Sequence, residues 1–189
     1  MISLAEARAV VFAGCPRGPE VVIPVPRAYG TVLAAPVVSG EAVPPFANTA
    51  MDGFAVRAAD TVGAGPDRRI ELQVVGTVQA GMSGLDAPVG EGQAARIMTG
   101  APMPPGADAV VMVERTEVVG DRVAVAVEVT AGQHVRPVGD DVRPGDEVVA
   151  AGTVLGAGHL AQLATVGITE VTVVRRPVAG VLSTGDELV

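Results

Sequence analysis

The sequence predicts an α+β fold that is mostly β, on three observations. Apolar residues make up 49% of the 189-residue chain but aromatics only 2%, so Val, Ala, Leu and Ile must build the core. Valine favours a pleated, half-buried surface. The 24 glycines and 15 prolines favour short strands and tight turns over a helical bundle. Val123, Val125, Val127 and Val129 alternate with Ala124, Ala126, Glu128 and Thr130, a period-two pattern that is the cleanest strand signal in the chain.

Element by element, Ser3-Leu4-Ala5-Glu6 fits a capping box that opens a short helix, with Leu4, Ala7 and Val11 on one face and Pro16 beyond its end. Val21 to Val38 is apolar but broken by Pro24, Pro26 and Pro36, which predicts short extended pieces around a turn near Tyr29-Gly30. Gly40 to Phe46 is proline-rich and reads as a crossover between modules. Ile70, Leu72 and Val74 alternate as a strand, and Ala107 to Val113 is a buried apolar run. Gly120-Asp121 sits between two valine-bearing arms as a two-residue hairpin turn. Gly158 to Val166 predicts a helix whose Leu160, Leu163 and Ala164 share a face, with Gly167 just past its end. Ile168 to Val174 reads as a strand, Arg175-Arg176-Pro177 as a linker, and Val178 to Leu182 as the start of a further strand.

Charge and composition narrow the function. The formal net charge of −8 argues against a nucleic-acid surface, which needs a basic stripe. All 13 basic residues are arginine, so a lysine nucleophile or Schiff base is excluded, and arginine is the strong cation left for an anionic ligand. Cys15 is the single cysteine, which excludes an intrachain disulfide and a cysteine metal cluster and favours a cytoplasmic location. Met1 to Gly14 carries Glu6 and Arg8 and makes a poor signal peptide. No apolar run approaches the ~18 residues of a membrane helix, so no membrane partner is expected.

Four loops gather chemistry-bearing residues. Asn48 to Ala55 holds Asp52 beside Gly53, a carboxylate where glycine lets a ligand approach; alone, Asp-Gly is more often a plain turn. Arg96 to Asp108 carries Thr99, Gly100 and three prolines, a stiff loop whose exposed hydroxyl and N–H groups suit an oxyanion, or a rigid connector. Arg136 to Asp146 interleaves arginines with Asp140, Asp141 and Asp146, either solvated ion pairs or an anion clamp beside a magnesium site. Ser183-Thr184-Gly185-Asp186-Glu187 follows a strand of parallel type, where open α/β sheets bind ligands; a capped strand-to-helix turn is the plain alternative. His134 and His159 lack partners at ligand spacing and read as surface or structural residues.

Taken in this order, the four loops resemble the molybdopterin molybdenumtransferases, the MoeA-type enzymes and the matching domain of gephyrin. The resemblance rests on Asn48-Thr49-Ala50-Met51-Asp52-Gly53-Phe54-Ala55, on Arg96-Ile97-Met98-Thr99-Gly100-Ala101-Pro102 running to Gly106-Ala107-Asp108, on Arg136 with Gly139-Asp140-Asp141, and on Ser183 to Leu188. It departs from the family pattern at Thr49 for serine, Phe54 for tyrosine, Ala47 for a frequent aspartate and Asp140 for glutamate. The resemblance implies curled and bifurcated β-sheets in two modules, one from residues 1–40 plus 131–175 and an inserted β-rich module at 41–130. Residues 176–189 would then begin an α/β molybdopterin-binding domain of which the rest is absent.

The implied activity is insertion of molybdate into adenylylated molybdopterin with release of AMP, assisted by Mg2+ or another divalent cation. Residue by residue, Asp52, Thr99 and Glu187 would be catalytic; Arg136, Thr99, Ser183, Thr184 and Gly185 would contact substrate or anion; Asp52, Asp141 and Glu187 would hold the metal. The implied partners are a second copy of the chain, which would complete the site, the pterin substrate and other molybdenum-cofactor biosynthesis proteins. The expectation for the isolated chain is a piece with little activity of its own. A non-catalytic dimerisation or scaffold module of the same family stands as the alternative, and an unrelated hydrolase using Asp52 and Asp141 as paired carboxylates ranks last.

Overall fold

The computed structural model describes residues 2–183. In chain order the elements are α1 (Leu4–Ala13), β1 (Glu20–Pro24), β2 (Val32–Leu33), β3 (Val37–Val38), β4 (Asn48–Thr49), β5 (Gly53–Val56) and β6 (Ile70–Val78). Then come β7 (Gln93–Ile97), β8 (Ala109–Met112), β9 (Thr116–Val119), β10 (Arg122–Val125), β11 (Val135–Arg136), β12 (Glu147–Val149), α2 (Ala157–Thr165) and β13 (Glu170–Val174). The chain divides into two compact units: the stretch up to Gly40 together with the stretch from Gly145 onward, and Glu41–Pro144.

In the first unit, β1, β13 and β2 form an antiparallel sheet in that order, and β3 pairs with β12. Alternation along β13 buries Val171 and Val173 against Leu33, Leu155 and Leu163, the last from α2. α2 ends as its composition dictates, with Gly167 in the left-handed region at φ 73. Of its expected apolar face Leu163 is buried and Leu160 half-buried, but Ala164 is exposed. His159, isolated in the sequence, has a structural task there: its Nδ1 accepts the Gly156 N–H at the start of the helix.

α1 begins at the expected capping box, with the Ser3 hydroxyl accepting from Glu6 N and the Glu6 carboxylate accepting from Ser3 N. Its apolar residues meet no core: no residue of α1 is buried, and Leu4, Val10, Val11 and Phe12 are exposed. The strand expected at Val178–Leu182 does not form among the described residues, where Val178, Val181 and Leu182 are 89%, 90% and 92% exposed. A strand is held by the backbone groups of a neighbour, and no described residue pairs with this stretch.

The second unit is a six-stranded sheet in the order β8-β5-β7-β6-β10-β9, antiparallel except for the parallel β6–β7 pair. Both faces are buried, which explains why β5 reads as an unbroken apolar run. Phe54, Val56, Ala94 and Val111 pack on one face, and Ala55, Ala95, Ile97 and Val110 on the other. The hairpin at Gly120-Asp121 forms as expected, pairing Val119 with Arg122. The strand predicted through Val129 stops at Val125, because its partner β6 begins opposite, at Ile70. Beyond it the chain turns, and Val129 N donates instead to the Thr61 hydroxyl at 3.1 Å.

Residues 131–144, assigned from the sequence to the first module, fold with this second unit. Val135–Arg136 pairs with Asn48–Thr49, Gly132 N donates to Asp108 O at 2.7 Å, and Val110 N donates to Gln133 O at 3.0 Å. A loop's composition does not disclose which backbone it will hydrogen-bond, so the boundary moves from 131 to 145.

Candidate functional site

Three of the four loops meet in the second unit. β4 is the hub: its residues pair with Val135 and Arg136 on one side, and Asn48 bridges to Pro102 on the other. Gly100 N donates to Thr49 O and Thr49 N donates to Ala101 O, at 2.9 and 3.1 Å. The buried Thr49 hydroxyl shapes the following turn by donating to Met51 O at 2.7 Å. A serine could make the same bond, so the hydroxyl explains why threonine is accepted here.

That turn delivers Asp52 to Thr99. The Asp52 Oδ1 accepts two hydrogen bonds, from Thr99 N and from the Thr99 hydroxyl, each at 2.7 Å. The two donors, the backbone N–H first, hold the Asp52 carboxyl below its ordinary range, against a small opposing effect of desolvation, and the positive charge of Arg96 adds slightly. Asp52 is therefore a carboxylate throughout the physiological range and a weak proton acceptor. Its second oxygen, Oδ2, takes no hydrogen bond from the described residues and remains open to a cation or to a water. Gly53 is required by the close approach behind it: a Cβ there would lie 2.0 Å from Val111 O.

The amides of residues 98–101 in the Arg96–Asp108 loop are engaged within the protein, which fits the rigid connector of the two readings of this loop. Met98 N donates to Val78 O, Thr99 N to Asp52, Gly100 N to Thr49 O and Ala101 N to Met98 O. The Thr99 hydroxyl likewise donates to Asp52, so toward a ligand Thr99 offers its oxygen lone pairs and no free hydrogen. The loop is stiff because the protein itself satisfies its donors.

Arg136 is half-buried and engaged. Its Nη2 donates to Asp141 Oδ2 at 2.6 Å and its Nε lies 3.6 Å from Asp140, and these two carboxylates, Asp141 first, raise its already high pKa. Asp141 is thus an ion-pair partner, and no group of three Asp, Glu, His or Cys suited to a metal occurs among the described residues. Asp52, Asp140 and Asp141 do not make a complete divalent-cation site by themselves. The paired-carboxylate hydrolase has no support in this geometry, since Asp141 faces Arg136 and Asp52 faces Thr99.

Of the fourth loop, Ser183 is exposed, and Thr184, Gly185 and Glu187 lie outside the described residues. Sequence reasoning passed over Arg96 as a site residue, although it opens the second loop. The missed signal is its place two residues after the buried Ala94 in a strand that otherwise faces inward.

The family model described as MoeA N-terminal region (domain I and II) matches residues 2–167. The chain belongs to the MoeA N-terminal-region family. It is 37% identical over 170 residues to a molybdopterin molybdenumtransferase of Staphylococcus aureus, covering 90% of this chain and 40% of that protein. It is 41% identical over 170 residues to molybdopterin molybdenumtransferase 2 of Mycobacterium tuberculosis, covering 89% of this chain and 41% of that protein. Among solved structures, the molybdopterin biosynthesis MoeA protein of Pyrococcus horikoshii superposes with a TM-score of 0.86 at 34% identity, over 94% of this chain and 47% of that one. The chain therefore spans about 40% of the length of the curated relatives it matches. As a member of this family it has the mostly β fold of a MoeA N-terminal region.

Proposed function

We propose that this chain serves molybdenum cofactor biosynthesis by contributing to the insertion of molybdate into adenylylated molybdopterin, with release of AMP. The observation that carries the reading is the Asp52–Thr99 pair, two 2.7 Å hydrogen bonds on one carboxylate oxygen, inside a family whose named members are molybdopterin molybdenumtransferases. Thr99 fixes Asp52 as an anion with one oxygen directed outward, and Arg136 organises the neighbouring loop through Asp141. Asp52 would then act by position, holding a water or a cation at Oδ2, and not as a strong base.

The same reading takes Mg2+ or another divalent cation as the helper at Asp52, with further oxygen ligands from Glu187, substrate or a second subunit. When bound, such an ion supplies positive charge to the oxyanions of the reaction. Ser183, Thr184 and Gly185 are taken as additional substrate contacts. The protein is placed in the cytoplasm, in keeping with a single free, exposed cysteine, and as a homodimer.

The test is molybdate-dependent AMP release from adenylylated molybdopterin by protein carrying this sequence. Thr99→Val and Asp52→Asn are expected to slow release by about 100-fold, the scale of a lost positioning or charge-stabilising group. Rates equal to wild type in both variants contradict the proposal.

The exposed apolar residues of α1 favour a second reading, in which the chain is a dimerisation or scaffold module. A strict monomer at high concentration in sedimentation analysis counts against the module, and the AMP-release assay separates the two readings, since a scaffold gives no molybdate-dependent release.

A further inference from the structure

An oxyanion needs hydrogen-bond donors or positive charge, and the groups expected to supply them here are already engaged. Both Thr99 donors point at Asp52, the amides of residues 98–101 close onto the protein, and Arg136 is held by Asp140 and Asp141. One cation of the same loops is not. Arg96 is exposed and makes no hydrogen bond or ion pair with the described residues.

Its position follows from strand register. Arg96 of β7 lies directly opposite Phe54 of β5, and Gly53 lies opposite Ile97. Residues opposite one another in an antiparallel pair share a face, and side chains alternate along each strand. Continuing that register one step, Asp52, Phe54 and Arg96 belong to one face, with Asp52 and Arg96 as diagonal neighbours. The core agrees: Phe54 and Ala94 pack on that face, and Ala55, Ala95 and Ile97 on the other. Diagonal neighbours stand roughly 7–8 Å apart, within reach of an arginine. Arg96 nevertheless forms no salt bridge with Asp52, whose Oδ1 is satisfied by Thr99. The guanidinium fork, with five donors suited to a tetrahedral oxyanion, is left pointing to solvent beside a fixed carboxylate.

We infer that Arg96 is the oxyanion contact of this loop cluster, binding molybdate or the phosphate of the adenylyl group next to the Asp52–Thr99 pair. The inference rests on the functional reading above and assigns its anion to a residue other than Thr99 or Arg136. Asp52 takes the cation or water, and Arg96 takes the anion.

The experiment is isothermal titration calorimetry of the purified chain at low ionic strength, with molybdate alone and, separately, with AMP. Wild type is compared with Arg96→Ala, Arg96→Lys and, as a control that removes the same charge from a different strand, Arg122→Ala. Circular dichroism confirms that each variant keeps its fold, which an exposed side chain permits. Arg96→Ala is expected to weaken binding of one of the two ligands by about tenfold or more, the scale of a charge-assisted hydrogen bond. Arg96→Lys should fall between, keeping charge without the fork, and Arg122→Ala should match wild type. Loss confined to molybdate assigns the contact to the metal oxyanion; loss confined to AMP assigns it to the phosphate. Wild-type binding that Arg96→Ala leaves unchanged, or that Arg122→Ala weakens equally, overturns the role of Arg96 and leaves the functional reading standing. A wild-type chain that binds neither ligand overturns the inference and the anion-binding part of that reading together.

Discussion

Gly53→Ala is the most demanding test of how the site is built. Gly53 of β5 lies between Ile97 of β7 and Met112 of the edge strand β8, paired on both sides. A Cβ added there falls 2.0 Å from Val111 O and 2.9 Å from its carbonyl carbon, where real Cβ contacts essentially never come under 3.0 Å. β5 and β8 must therefore separate locally by about 1 Å, and a close-packed interior cannot absorb that without strain. The separation also pulls on the 3.0 Å bond from Val113 N to Asp52 O, which anchors the Asp52 turn to the sheet. Overpacking of this kind costs about 1–3 kcal/mol, and one weakened backbone hydrogen bond adds up to about 1 kcal/mol. For a unit near 100 residues the sum lowers Tm by roughly 10–20 °C. Thermal unfolding followed by circular dichroism measures it, with Gly40→Ala as control, since a Cβ at Gly40 meets nothing within 4 Å. A Gly53→Ala protein melting within about 2 °C of that control would refute the reasoning.

Two further outcomes follow from the same geometry. Gly158 lies inside α2, and a Cβ there meets nothing within 4 Å, so Gly158→Ala should stabilise the first unit by about 0.5–1 kcal/mol in urea unfolding; a loss of stability would contradict the helix assignment. The Asp52 carboxyl is held below its ordinary range, so its contribution to stability is complete above the unfolded-state carboxylate pKa and is lost as pH falls through the folded one. Asp52→Asn should accordingly flatten the acid limb of the stability profile, and an unchanged limb would count against the Thr99 bonds.

The sequence disclosed most of the fold where a local rule decides the outcome. The Ser3–Glu6 capping box, the Gly120-Asp121 hairpin and Gly167 after α2 are each set by one or two residues, and each appears. It misled where the outcome depends on a distant partner. The valine alternation runs to Val129, but β10 ends at Val125, opposite the first residue of β6. Val178–Leu182 has strand composition and no neighbour among the described residues. The site divides the same way. Asp52 and Thr99 were marked by their loops, and they touch. That the donors of Thr99 and Arg136 are engaged inside the protein, leaving Arg96, depends on strand register between segments some 40 residues apart, which no single loop encodes.

The central claim is that Asp52 and Thr99 form one hydrogen-bonded unit. NMR titration tests it most directly, following the Asp52 side-chain carboxyl and the Thr99 amide in the same samples, with Thr99→Val alongside. The account predicts one shared titration below the ordinary aspartate range, moving upward in Thr99→Val because the hydroxyl donor is gone while the amide remains. A carboxyl that titrates as a free aspartate, with a Thr99 amide indifferent to it, would contradict the account.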